Sequence, residues 1–130
     1  MVILFDEFHL PENIYDIIFA TDQQAVVAKL LVNEMKKNGG MMGKTEMSVF
    51  ANSLHEGTDI EVEKGEGIFK KKEKTRISYN KRQFYDRILT PMKSMGMIDY
   101  DMYKKQYFIS DKFQKNLIKI GLMWNKELQK

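Results

Sequence analysis

The chain has 130 residues, 43% of them hydrophobic, no cysteine and a net charge of +3. One domain of this length can bury its own core, which excludes wholesale disorder, and no apolar run approaches a membrane span. Without cysteine there is no disulfide framework, thiol nucleophile or Cys-based zinc site, and with no signal-peptide pattern at the start a cytoplasmic protein is expected.

Val2 to Phe5 reads as a short buried strand or the start of a helix. Pro11 suits the first turn of a short helix, Pro11 to Phe19, with Leu10, Ile14, Ile17 and Ile18 inward. Residues 1–20 thus form an N-terminal extension. Thr21 and Gln24 make a capping pair, and Val27, Leu30, Leu31 and Met35 recur at helical spacing. Lys36 and Lys37 suit the C-terminal end of that helix, and Asn38-Gly39-Gly40 stops it. A second helix is expected from Lys44 or Thr45, with Met47, Phe50, Ala51 and Leu54 on one face and Gly57 at its end.

The polar stretch from His55 to Ile77 reads as a β-hairpin around Lys64-Gly65-Glu66-Gly67, or as a loop. The third helix is strongly patterned. Asn80 and Gln83 form a cap pair, Phe84, Ile88, Met92 and Met95 share one face, and Arg82, Asp86, Thr90 and Lys93 point the other way. Pro91 inside this pattern predicts a kink or a new turn, and Gly96 ends it. Met97 to Tyr100 and Gln106 to Ile109 read as strands joined by a turn at Asp101 to Lys105. Ser110 is expected to cap a last helix with Asp111 in its first turn. No repeat or linker divides residues 1–130, so one domain is expected.

The modest net charge hides an asymmetry. Residues 1–28 hold five acids and no Lys or Arg, and residues 56–66 five acids and one Lys. Residues 70–87 hold eight bases against two acids, and residues 88–130 eight lysines against four acids. Such a layout fits a polyanionic partner for the basic part, or an ordinary solvated surface.

Two nucleotide-site look-alikes fail on spacing. Gly40-Met41-Met42-Gly43-Lys44-Thr45 evokes a phosphate-binding loop, but the signature needs a Gly where Asn38 stands, and a strand before it. Val2-Ile3-Leu4-Phe5-Asp6-Glu7 imitates a Mg²⁺-holding strand but precedes the Gly stretch, against the usual order. His9 and His55 lie in different segments with no third ligand or nucleophile in pattern, and no acid spacing marks a general acid–base pair. The ten methionines read as core filler. No enzymatic activity, cofactor or metal is expected.

Arg87-Ile88-Leu89-Thr90-Pro91-Met92-Lys93-Ser94-Met95-Gly96-Met97-Ile98, followed by Asp99 through Ser110, resembles the winged helix–turn–helix family of DNA-binding domains, as in archaeal and bacterial transcription regulators. In that family the recognition helix ends Leu-x-x-Leu-x-x-x-Gly-Leu-Ile and a two-stranded wing follows. Leu89 and Met92 take the two Leu-like places, Gly96 the Gly, and Met97-Ile98 the apolar pair. The resemblance covers roughly residues 21–111 and is sharpest over 84–110. One departure stands out: the family joins its second and third helices by a short turn, and here residues 55–78 intervene.

The resemblance implies an α+β, mainly helical winged-helix fold. It also implies sequence-specific binding of double-stranded DNA, with transcription regulation as the role. Tyr79, Lys81, Arg82, Gln83, Asp86 and Arg87 would then sit at the end of the helix that reads base edges. Lys70, Lys71, Lys72, Lys74 and Arg76 suit phosphates, as do Lys104 and Lys105 at the tip of the wing. The other implied use is protein contact, as a subunit of a transcription, replication or segregation complex. The last helix, within residues 111–130, carries a stripe of Phe113, Leu117, Ile120, Trp124 and Leu128. That stripe is expected to hold a homodimer together, the plain alternative being packing on its own domain.

Overall fold

The computed structural model describes residues 5–64 and 71–129. The expected strand at Val2 to Phe5 (save its last residue), the tip of the expected hairpin and Lys70 lie outside the described residues.

Short polar side chains set the N-terminal helix starts. Asp6 accepts the Phe8 N–H at 2.8 Å and begins a 3-10 turn, Glu7–His9. Asn13 accepts the Asp16 N–H at 3.1 Å and begins α1, Ile14–Ile18. Thr21 accepts the Gln24 N–H at 3.1 Å and begins α2, Asp22–Lys37, as its spacing to Gln24 predicts. The first helix is therefore shorter than Pro11 to Phe19. Asn13 satisfies a free amide that Pro11 cannot, so the helix starts after Asn13, and Leu10 stays 60% exposed instead of turning inward.

α2 ends in two left-handed glycines, Gly39 (φ 72°) and Gly40 (φ 83°). Their N–H groups return to Lys36 and Met35 carbonyls at 3.2 and 2.7 Å and close the last turn. The chain then forms a strand that the sequence does not announce, β1, Met41–Gly43. Gly43 leads directly into α3, Lys44–Glu56, which buries Met47, Ala51 and Leu54.

The charged stretch is a hairpin. β2, Thr58–Lys64, pairs antiparallel with β3, Lys71–Ile77, and Thr58 opposite Ile77 closes its base. Past the hairpin, the Tyr79 N–H donates to the Leu54 carbonyl at 2.8 Å, and the Lys81 N–H to His55 Nδ1 at 3.2 Å. The Ser78 hydroxyl donates to the His55 carbonyl at 3.1 Å. The hairpin is thus an excursion. The chain leaves α3 and returns to the same place, so the next helix meets α3 as across a tight turn.

That next element is one helical rod in three parts: α4, Lys81–Phe84, a π-helical turn, Tyr85–Leu89, and α5, Thr90–Ser94. Asn80 caps it, accepting the Gln83 N–H at 3.1 Å. Pro91 explains the wide turn. It has no N–H, and its ring would collide with the Arg87 carbonyl in a regular helix, so the preceding turn widens. Gly96 (φ 84°) ends the rod, and the Met97 and Gly96 N–H groups return to the Met92 and Lys93 carbonyls at 2.9 and 3.1 Å. β4, Ile98–Asp101, starts one residue later than expected, and β5 spans Gln106–Ile109. The sheet order is β1-β5-β4, all antiparallel, with Met41 opposite Phe108 and Ile98 opposite Ile109.

The fold is α+β and mainly helical, with two small antiparallel sheets. Its core lies among α2, α3 and the rod: Val27, Leu31, Met35, Met47, Leu54, Phe84, Ile88, Met92 and Ile98 are all at or below 1% exposure. The Phe84 ring stands 5.6 Å from Phe50 and 5.4 Å from Tyr85. α6, Lys112–Leu128, follows the sheet. The helix begins one residue later than expected, but Ser110 supplies the capping bond: its hydroxyl accepts the Lys112 N–H at 3.2 Å, while Asp111 makes no side-chain cap bond. The Phe113 N–H donates to the Gly96 carbonyl at 3.1 Å, which fixes the first turn, yet α6 has no buried residue.

Candidate nucleic-acid interface

The rod from Lys81 to Ser94 has two faces. Phe84, Ile88, Leu89 and Met92 are buried, while Arg82, Gln83, Asp86, Arg87, Thr90 and Lys93 are exposed. Arg82 Nε lies 3.8 Å from Asp86 Oδ2, one turn on, with the two side chains 92% and 67% exposed. So loose a pair leaves Arg82 able to reach outward. Lys81 is half-buried, and its backbone is held by His55.

Tyr79 does not belong to this surface, contrary to expectation. It is 5% exposed, and its hydroxyl is buried without a hydrogen-bond partner. The reason is local. Tyr79 stands just before the cap Asn80, and such a residue packs against the fifth one after it, here Phe84. Both lie in the core cluster.

The hairpin β4–β5 carries the wing lysines. Asp101 Oδ1 accepts the Tyr103 and Lys104 N–H groups at 2.9 and 3.1 Å and shapes the turn. Lys105 takes a left-handed backbone (φ 52°), and its carbonyl accepts the Lys44 N–H at 3.1 Å. The structure thus brings Lys44, at the start of α3, beside Lys104 and Lys105. Lys44 was not singled out from the sequence, because its placement depends on β1, three residues too short to show a period. Tyr103, fully exposed at the same tip, was missed as well. An isolated tyrosine in a turn carries no pattern.

The end of the rod meets the wing. Lys93 Nζ is 5.9 Å from the ring centres of both Tyr100 and Tyr107, which are 4.6 Å apart. Burial raises the Tyr107 hydroxyl above its ordinary value, and Tyr85 and Tyr100 add to this. The rod and the two-stranded hairpin are therefore joined through side chains as well as through Gly96.

The basic strand β3 is placed differently. Its register sets Arg76 opposite Asp59, Lys74 opposite Glu61 and Lys72 opposite Glu63, so bases and acids alternate across one ladder. Lys71 falls opposite Lys64. Arg76 is a local clamp: Nη2 donates to the Glu56 carbonyl at 3.2 Å, and Nη1 is 3.9 Å from Asp59 Oδ1. It also underlies Gly57 (φ 110°), where a Cβ would come within 2.8 Å of the guanidinium. Residues 57–78 hold six bases and five acids, a net charge of only +1. The eight bases counted over 70–87 overstate the positive field of this region, because three of them, Lys72, Lys74 and Arg76, stand opposite acids from residues 59–63.

The phosphate-loop look-alike dissolves into a glycine turn, the paired strand β1 and the start of α3. Among the described residues, no three His, Asp or Glu side chains converge as a metal site, and no helix is long and apolar enough to cross a membrane. The stripe on α6 is open: Leu117, Ile120, Trp124 and Leu128 are 47%, 52%, 64% and 64% exposed, and Phe113 is half-buried. The expected alternative, that this stripe packs back on its own domain, holds only for the first turn. Protein-family models, curated proteins and solved structures were compared with the chain, and none matches it.

Proposed function

We propose that this protein is a winged-helix, sequence-specific double-stranded DNA-binding protein, a transcription regulator that acts as a homodimer. The carrying observation is the rod. It buries Phe84, Ile88 and Met92 and presents Arg82, Gln83, Asp86 and Arg87 at its N-terminal half, directly before a hairpin tipped by Lys104 and Lys105. A helix of this kind fits the major groove, with its N-terminal residues at base edges. Arg82 takes guanine O6 and N7, and Gln83 takes adenine N6 and N7. Asp86 accepts a cytosine amino proton or orients Arg82. Lys44, Lys104 and Lys105 hold phosphates beside the groove.

The test is a salt series of binding to random and genomic duplex DNA. The expected result is a log-linear loss of affinity with salt and one class of genomic fragment retained where random DNA is released. No binding at low salt overturns the proposal.

A second reading is favoured by one observation. The base–acid register of β2 and β3 gives the inserted hairpin almost no net charge, which suits a protein surface better than a phosphate backbone. Under that reading the chain is an interaction subunit of a transcription, replication or segregation complex. It predicts failure of the same DNA titration.

A further inference from the structure

The hairpin β4–β5 ends in Met102-Tyr103-Lys104-Lys105, and the rest of the chain covers none of the four. Tyr103 is 100% exposed and Met102 78%. A single exposed apolar residue is ordinary on a protein surface. Here two large ones stand side by side at the tip of a hairpin, next to cations.

The tip is firmly built. Asp101 pairs with Gln106 on the last rung of β4–β5, and Gly43 of β1 pairs with Gln106 from its other side. Asp101 Oδ1 accepts the Tyr103 and Lys104 N–H groups, and the Lys105 carbonyl accepts the Lys44 N–H. One carboxylate thus holds the turn from within, and the start of α3 holds it from outside. A tyrosine ring has few torsions to freeze, so on such a base it costs little to immobilise.

Charge selects the occupant. Lys44, Lys104 and Lys105 meet at this tip and are all exposed. Asp101, the acid within the turn, is taken up by the turn amides. Glu46, in the first turn of α3, lines the groove on the α2 side instead. An apolar wedge ringed by cations fits a partner with anions outside and flat apolar faces within. Stacked bases between two phosphate backbones are built in that way.

We propose that Met102 and Tyr103 form a wedge that enters between two base pairs of the duplex, unstacks them and unwinds the helix there. The lysines hold the flanking phosphates while the rod lies in its groove. The wedge rests on the DNA-binding reading above but adds a role the rod lacks. It senses sequence through the ease of unstacking and not through hydrogen bonds. Pyrimidine–purine steps such as TA open easily, whereas A-tracts are stiff. Tyr103 and Met102 therefore favour duplexes with a flexible step under the wing, at a position that no polar side chain reads.

The test uses the full chain on a closed-circular plasmid, relaxed by a topoisomerase with the protein bound and then stripped of protein. The wild type is expected to leave a lowered linking number, because each wedge unwinds the duplex it enters. M102A/Y103A, brought to the same occupancy, is expected to leave the linking number unchanged. Y103F keeps the ring and is expected to behave as the wild type. In a second arm, the wild type is expected to bind alternating poly(dA-dT) several-fold tighter than poly(dA)·poly(dT), and M102A/Y103A to bind the two alike. Wild-type binding with no change in linking number overturns the wedge and leaves the DNA reading standing. So does an undiminished change, or a surviving preference for poly(dA-dT), in M102A/Y103A. A wild type that does not bind the plasmid at all overturns both. A tip that attaches the chain to phosphatidylserine vesicles through Tyr103, with no effect on linking number, overturns the wedge as well.

Discussion

Lys112 Nζ lies 2.6 Å from Asp99 Oδ2 and ties the start of α6 to strand β4. Hydrogen bonds from Lys112, then from the Tyr100 N–H, hold the Asp99 carboxyl below its ordinary value, and the same bond raises Lys112. For the depressed acid, the stabilisation is present above its unfolded value and is lost as pH falls through the folded one. For the raised lysine, it is present below its unfolded value and is lost as pH rises through the folded one. The tether is therefore complete around neutrality and fails at both extremes. Asp99→Asn should lower the hydrogen-exchange protection of the Phe113 and Lys115 amides at neutral pH, with little change in global melting. The two proteins should converge in strong acid. Equal protection at pH 7 would show that backbone contacts alone hold the helix.

Gly96 is the other attachment of α6. It has φ 84°, and a Cβ there would meet Lys112 Cβ at 2.9 Å and the Phe113 nitrogen at 3.1 Å. A left-handed non-glycine costs ~1–2 kcal/mol, and overpacking adds ~1–3. Gly96→Ala should therefore lose about 2–5 kcal/mol in denaturant unfolding. Gly39 has a similar φ of 72° with nothing within 4 Å of the built Cβ, so Gly39→Ala should lose only the smaller backbone part. Equal losses at the two positions would mean that the contact with α6 is soft.

Under the proposed DNA-binding function, Arg82, 92% exposed on the rod, is the residue that reads a base. Arg82→Ala should cost about 1–3 kcal/mol for the preferred site and little for random duplex, measured at one salt concentration. Equal losses on both would reduce Arg82 to a phosphate contact. No loss on either would take the rod out of the interface.

Much of this frame is legible in the sequence, because it is written in local chemistry. Thr21 with Gln24 and Asn80 with Gln83 are three residues apart, and each pair caps the helix it announces. Gly39, Gly40 and Gly96 stop helices through conformations that other residues resist. What escapes is set by partners distant in the chain. Met41–Gly43 is a strand only because Gln106–Phe108 runs beside it. Lys72 and Lys74 look like a phosphate-binding run until the hairpin register brings Glu63 and Glu61 opposite them. Tyr79 is the exception, since its spacing to Phe84 across the cap was a local sign of burial.

That register changes the expected division of labour among the lysines. Changing Lys104 and Lys105 together to Ala should make the salt dependence shallower by about two units, roughly one per lost phosphate contact. Changing Lys72 and Lys74 together should alter the slope by clearly less, because each stands across from an acid. Affinities for random duplex over a range of salt measure both. The reverse ranking would move the backbone contacts from the wing to the hairpin.

Trp124 is the only tryptophan and is 64% exposed on a helix that has no buried residue. Aromatic anchors of this kind concentrate interface energy, and in a twofold dimer one substitution acts twice. Trp124 emission should therefore shift to longer wavelength on dilution, as the ring passes from a protein contact to water. Trp124→Ala, or removal of residues after Ser110, should give a monomer. Two joined domains can place their helices in successive major grooves, about 34 Å apart, and the second then binds at the effective concentration set by the first. Loss of the dimer should thus weaken binding to a palindromic site by at least about 100-fold, far beyond one lost contact, while random DNA is affected much less. A Trp124→Ala protein that remains dimeric with unchanged affinity would move the axis away from this face of α6.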